Sequence, residues 1–374
     1  MIMFRHARVA SLPARLLAAG FTLAVFFLPG CKSPAVPQSG ERAPFSATSP
    51  ECGAASEYSE ARRGVSLLVL RDGEVICEAY AHGVGPMDAF PIASGTKSFS
   101  GLMALVAQED GLLDLDEPVS ATLPEWREDP QKSRVTIRQV LNLTSGISNM
   151  REELGRVPSF DEVVSAPMLT PPGETFRYGP APFQLFGEVM KRKLRAAGRD
   201  PDPARYMEQR LLDPAGIELA DWRRPVTGDP LMPAGIHISA REWAKFGEFV
   251  RLRGQTAEGR LLAEGAFAEL FRGSEPNPGY GLTWWLPEPG PEGTWAGMAS
   301  DLGARRDEVP EDLIVAAGAG GQRLYVSATD GMVIARQARF DPSMSEDERN
   351  GDWSDTDKYL LARAAAYPAG QSFE

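Results

Sequence analysis

Strand-like runs sit near both ends of this chain and helix-like runs lie between them, an order that excludes most simple architectures. Val65-Ser66-Leu67-Leu68-Val69-Leu70 and Val75-Ile76-Cys77-Glu78-Ala79-Tyr80 are strand-like and flank Arg71-Asp72-Gly73-Glu74, an Asp-Gly hairpin signal. Strand character returns at Tyr280–Leu286, Arg323–Ser327 and Met332–Gln337, the last two around Ala328-Thr329-Asp330-Gly331. Between them, apolar residues recur at helical spacing in Phe99–Ala107, which stops at Asp110-Gly111. A short helix is predicted over Thr136–Leu143 with Thr136 as cap, and others over Phe183–Leu194 and Ser239–Gly247, with a final one over Asp355–Ala366. Strands, then helices, then strands again imply an α+β fold: an antiparallel sheet flanked by helices, interrupted by an inserted helical domain. The expected boundaries are a sheet domain of residues 61–93 plus 236–374 and a mainly helical domain of 94–235. No internal repeat is visible.

The first residues read as an address. Arg5, His6, Arg8 and Arg15 form a basic region ahead of the apolar stretch Leu16–Leu28, too short to span a bilayer comfortably. Leu28-Pro29-Gly30-Cys31 is similar to a bacterial lipobox, which implies lipidation at Cys31, a membrane anchor and a cell-envelope location facing the periplasm or exterior. Pro29 departs from the usual small residue there. Residues 32–60, rich in Pro, Ser, Gly, Ala and Glu, read as a flexible tether. In an oxidising compartment Cys52 and Cys77 either pair or remain two thiols. Three cysteines and three histidines are too few for a thiolate cage, so no metal is expected. A net charge of -12 with no basic stripe argues against nucleic acid as a partner.

Chemistry enters at Ser94-Gly95-Thr96-Lys97. A serine and a lysine three residues apart at a helix start share one face, so the amine can reach the hydroxyl. Serine attacks a carbonyl only when a neighbour takes its proton. Lysine does this once burial and the positive end of a helix lower its pKa. The alternative is a Ser94 N-cap with a solvated Lys97. Lys97 is the only lysine with a serine three positions before it.

The ordered set of motifs resembles the serine β-lactamase and penicillin-binding-protein superfamily, in particular its class C β-lactamase-like branch of esterases, D-peptidases and 6-aminohexanoate-oligomer hydrolases. The resemblance spans about residues 60–370. Ser94-Gly95-Thr96-Lys97 is similar to the nucleophile motif. Thr136-Ile137-Arg138 through Thr144-Ser145-Gly146 is similar to a second family stretch, and Pro172-Gly173-Glu174-Thr175-Phe176-Arg177-Tyr178 to the approach to its Tyr-x-Asn motif. Ala234-Gly235-Ile236 with Ser239–Gly247, Tyr280-Gly281-Leu282-Thr283-Trp284-Trp285 and Gly318-Ala319-Gly320-Gly321-Gln322 complete the series.

This resemblance implies a nucleophile at Ser94, a proton-handling pair of Lys97 and Tyr178, and an oxyanion hole formed by the backbone N–H groups of Ser94 and Ala319. A cationic Lys97 would favour a Tyr178 phenolate, the two titrating as a unit. Gly318 and Gly320 would let the backbone approach substrate, and Trp285 and His237 are further candidates for lining the cleft. Arg138 and Asn142 read as helix-surface or inter-domain polar contacts. No cofactor is implied. Pro180 stands where the family often has Asn, and Ala317-Gly318-Ala319 carries no Lys or His. Both departures point away from β-lactams and toward a small ester or amide, with a peptidoglycan D-peptidase or a non-catalytic sensor as the alternatives. The oligomeric state is left open.

Overall fold

The computed structural model describes residues 50–291, 301–339 and 354–367, and the signal region with Cys31 lies outside them. From residue 50 onward the described chain belongs to one compact unit. Its centre is a five-stranded antiparallel sheet in the order β2-β1-β10-β9-β8, built from Gly64–Arg71 (β1), Glu74–Tyr80 (β2), Ile314–Gly318 (β8), Gln322–Ser327 (β9) and Met332–Ala338 (β10). Strands from the two ends of the sequence meet where β1 pairs with β10, Leu67 opposite Arg336 and Val69 opposite Ile334. The β1–β2 hairpin turns through Asp72 and Gly73 at φ 51° and 84°, the left-handed backbone that Asp-Gly tolerates.

Helices cover both faces of this sheet. On one lies Ala240–Arg251 (α8), capped by Ser239, whose hydroxyl accepts from the Glu242 N–H. Gly247 in α8 is pressed so close to β10 that a Cβ there would lie 2.6 Å from Val333 Cγ1. The alternate residues of β9, Arg323 and Tyr325, hydrogen-bond to Asp355 at the start of the terminal helix Asp355–Ala366 (α9), so α9 covers the opposite face.

The expected tether is partly a helix. Pro50–Glu60 (α1) packs beside α9 and β1, burying Cys52, Ala55 and Ser59. Cys52 and Cys77 form a disulfide with Cα atoms 5.5 Å apart, fastening α1 to β2. Composition pointed to a loose segment, but a small-residue face needs only a close surface and a covalent staple to order.

The intervening chain carries short strands Ala89–Pro91 (β3), Asp221–Trp222 (β4) and Ile236–Ser239 (β5), joined as a second sheet in the order β3-β5-β4, and the small hairpin Gln255–Thr256 (β6) and Gly259–Arg260 (β7). Its helices are Lys97–Glu109 (α2), Ile137–Leu141 (α3), Arg151–Leu154 (α4), Phe160–Val163 (α5), Ala181–Ala196 (α6) and Pro203–Met207 (α7). Helix α2 is buried from Lys97 through Ala107, and Phe99 stacks on Phe246 of α8 with ring centroids 3.8 Å apart. Thr136 caps α3 in a reciprocal capping box with Gln139. Arg138 ion-pairs with Asp116 and Glu269, as expected of a bridging contact, and Asn142 is buried, accepting from the Thr144 hydroxyl at 2.6 Å.

Tyr280–Leu286 is not the strand expected. Gly281 N–H bonds back to Trp284 O at 2.9 Å and Thr283 has φ 71°, so the segment is a tight turn that touches the sheet only where Trp285 exchanges hydrogen bonds with Val315. Its proximity to α2 drives this: a Cβ on Gly101 would lie 2.4 Å from Thr283 Oγ1 and 2.6 Å from Leu282 O. Among the described residues no helix is long and apolar enough to cross a membrane.

Candidate active site

Ser94 does not cap α2. It sits one turn earlier, in a 3₁₀ turn over Ala93–Thr96 that follows β3 directly. Ile92 N–H donates to Ile236 O at 3.1 Å, tying this turn to β5, and Ala93 is held at φ 45°. A non-glycine residue in that conformation stores strain of order 1–3 kcal/mol, which persists only where the surroundings impose it. Gly95 packs tightly here, since a Cβ would lie 3.0 Å from the Trp243 ring.

Lys97 opens α2 with its side chain buried, 4% exposed. Its Nζ lies 2.9 Å from Ser94 Oγ and donates to Pro233 O at 3.0 Å. The remaining surroundings are aromatic: the amine lies 5.0 Å from the Tyr178 ring centroid and 5.4 Å from that of Phe183. Burial, with a smaller push from the Arg151 charge, lowers the Lys97 pKa to about 7.

Tyr178 arrives from a distant stretch of chain. Leu143, two residues past α3, is left-handed, and the chain around it pairs with the approach to Tyr178: Arg177 N–H donates to Leu143 O and Gly173 N–H to Thr144 O, both at 2.8 Å. Asn149 Nδ2 then donates to the Tyr178 carbonyl at 3.0 Å. Tyr178 is half-buried, and its phenol is hydrogen-bonded to Ser94. Burial raises its pKa to about 12, opposed by the Ser94 hydrogen bond and the Arg323 charge. Hydroxyl, amine and phenol therefore converge.

A phenolate beside a lysine cation is only one of the states open to this pair. Burial penalises both charged forms, lowering the lysine and raising the tyrosine, so at neutral pH the resting pair is increasingly a free amine beside a neutral phenol.

The other expected residues divide. Trp285 is 7% exposed and lies against Tyr178, ring centroids 5.5 Å apart, whereas Trp284 is fully buried and stacks with Phe246. Gly318 ends β8, and Ala319, Gly320 and Gly321 form the turn into β9, the last two at φ 78° and 80°. Gly318 touches the nucleophile's turn, because a Cβ there would lie 2.1 Å from Ile92 O. His237 lies on β5 opposite Pro91, and its Nδ1 is 3.3 Å from Gly235 O; that hydrogen bond is structural and does not involve Ser94. Asn149, Pro233 and Arg323 escaped the sequence reading because each acts through an atom brought near by folding. Asn149 is the most instructive. A Cβ on Gly179 would fall 1.8 Å from Asn149 Oδ1, so Gly179 is what admits this amide beside the tyrosine, on the stretch where Pro180 has replaced the family's usual Asn. Among the described residues no cluster of three or more His, Cys, Asp or Glu is arranged to hold a metal.

A sheet made of both chain ends, helices over it, and a Ser–Lys–Tyr convergence around a buried lysine beside the sheet edge define the β-lactamase-fold hydrolases. Residues 53–357 match the family described as Beta-lactamase, and the chain belongs to that family, within the serine β-lactamase and penicillin-binding-protein superfamily. Among curated relatives it is 30% identical over 151 residues to Protein flp of Staphylococcus aureus (strain COL), covering 34% of this chain and 29% of that protein. It is 26% identical over 211 residues to Lovastatin esterase of Penicillium rubens, covering 48% of this chain and 50% of the relative. The chain thus spans half or less of the length of these relatives. Among solved structures, EstCE1, a hydrolase with promiscuous acyltransferase activity, superposes with a TM-score of 0.63 at 16% identity, over 85% of this chain and 97% of that one, a likeness of fold.

Proposed function

We propose that this protein is a serine hydrolase that cleaves a small ester or amide through an acyl-enzyme on Ser94, held at the cell envelope by lipid on Cys31. The observation that carries the reading is the 2.9 Å contact between Ser94 Oγ and a buried Lys97 amine, with the Tyr178 phenol on the same hydroxyl. Neutral Lys97 takes the Ser94 proton as Oγ bonds to the substrate carbonyl carbon. The carbonyl oxygen becomes an oxyanion facing the Ser94 and Ala319 N–H groups. As the tetrahedral species collapses, Tyr178 O–H protonates the departing oxygen or nitrogen, and the proton that Lys97 took from Ser94 passes from its ammonium to the Tyr178 phenolate. A water then adds to the acyl-enzyme and releases the acid. Trp285, 7% exposed and backed by the buried Tyr280 ring at 4.9 Å, gives the Tyr178 side of the site an aromatic surface suited to an apolar substrate portion. The esterase relative supports ester chemistry.

Fluorophosphonate labelling tests the reading. Wild-type protein is expected to be labelled and Ser94→Ala to remain unlabelled with its fold intact. Equal labelling of both, or of neither, removes Ser94 from the chemistry. Cys31→Ala is expected to release the protein from the membrane fraction.

A further inference from the structure

The strand beside the nucleophile carries no lysine or histidine facing the cleft, yet a cation lies directly behind it. Arg323 on β9 is 2% exposed. Its Nη1 donates to Gly318 O at 3.1 Å and to Gln322 O at 3.0 Å, and its Nε donates to Asp355 Oδ1 at 2.7 Å. Asp355 is itself held: its carboxylate accepts from the Tyr325 hydroxyl at 2.7 Å, and its backbone N–H donates to Asp301 Oδ1 at 2.9 Å. The far end of the same turn is gripped by a second buried arginine, Arg336, whose Nη1 donates to Gly321 O.

Gly318 O and the Ala319 N–H belong to one peptide unit. A donor on the carbonyl draws electron density toward oxygen and makes the N–H across that amide more acidic, so hydrogen bonds in series strengthen each other. With a fully charged donor in a buried setting, the effect is larger than a neutral partner would produce. We propose that Arg323 is a positioning residue that orients the 318–319 peptide and polarises it, so that the Ala319 N–H becomes a stronger oxyanion donor. The inference rests on the hydrolase reading above. It makes the cation missing from the strand's cleft face an internal one, acting through the backbone rather than on the substrate. The Arg323 charge also reaches Tyr178, where it opposes the effect of burial on the phenol.

The double substitution R323M/D355N removes both buried charges together, avoiding an orphaned carboxylate. Two readouts on p-nitrophenyl ester hydrolysis separate polarisation from packing: kcat against KM, and inhibition by phenylboronic acid, whose tetrahedral Ser94 adduct puts an oxygen in the hole. The double variant, with unchanged far-UV circular dichroism, is expected to lose about tenfold in kcat and about tenfold in boronate affinity with KM within twofold. That is less than the loss on deleting an oxyanion donor outright. R323K keeps the charge but lacks the two-sided fork, and is expected to fall between wild type and the double variant. A folded double variant with wild-type kcat and boronate affinity overturns the proposal, as does a KM rise at constant kcat. Should the double variant not fold, R323K carries the test, and wild-type behaviour from it overturns the idea. A wild-type protein that takes up no fluorophosphonate at Ser94 overturns the hydrolase reading and this inference with it.

Discussion

Lys97 is held at two opposed demands, burial beside Ser94 and a protonation state fit to accept a proton. With its pKa lowered to about 7, it is a base above that pH and an ammonium below. If it is the base, kcat/KM rises with pH through an apparent pKa near 7, and the Tyr178 phenol, at about 12, gives no fall within the usual assay range. A flat profile from pH 5 to 9 contradicts that role. The same residue burdens the fold. Its folded pKa lies below the unfolded value, so between about pH 7 and 10.5 the unfolded chain binds the extra proton and stability rises with pH; below 7 the penalty is complete, of order 5 kcal/mol. Lys97→Met is therefore expected to abolish hydrolysis while raising Tm, by more at pH 6 than at pH 10. Thermal melts at the two pH values check this, and a lower Tm at pH 6 would count against a strained, buried amine.

Elements place what residues perform. Helix α1 has few large apolar groups and depends on the Cys52–Cys77 disulfide, which closes a 25-residue separation. Replacing both cysteines with serine is expected to lower stability by about 3 kcal/mol, read as a fall in Tm that reducing agent reproduces in the wild type. Activity of the folded fraction is expected to survive, because α1 lies away from Ser94. The segment bearing Tyr178 is more delicate. Gly179→Ala forces a methyl into Asn149, whose amide holds the Tyr178 carbonyl. Its kcat is expected to fall at least tenfold with KM little changed, since displacements near 1 Å at a reacting group have that scale. An unimpaired Gly179→Ala would show that Asn149 does not hold the tyrosine.

At the scale of the whole molecule, the proposed substrate class turns on where the cations lie. The β-lactamase family assigns a β-lactam carboxylate to an exposed cation, but here Arg323 is turned inward and bonded to Gly318 and Asp355. Nitrocefin hydrolysis is accordingly expected at no more than background, and Ser94-dependent turnover would refute this. Much of the architecture was legible beforehand. The hairpin at Asp72-Gly73, the Thr136 cap and the bounds of α9 rest on local periodicity and turn chemistry, which sequence displays, and a sheet drawing strands from both chain ends follows from the order of the elements. Helix α1 and the Trp284–Trp285 turn were misjudged for one reason: each is shaped by a surface remote in sequence, a disulfide partner in the first case and α2 in the second.

Sequence by itself determined the inventory: a serine with a lysine one turn away, a tyrosine in a recognisable setting, and a glycine-rich turn between two strands. These are properties of neighbours along the chain. Tertiary structure alone decided the protonation states of Lys97 and Tyr178, the seat of Asn149 beside Gly179, and the presence of Arg323 behind Gly318. Desolvation and hydrogen bonding depend on every atom packed around a group, and those atoms come from segments far apart in sequence that only the closed fold brings within reach.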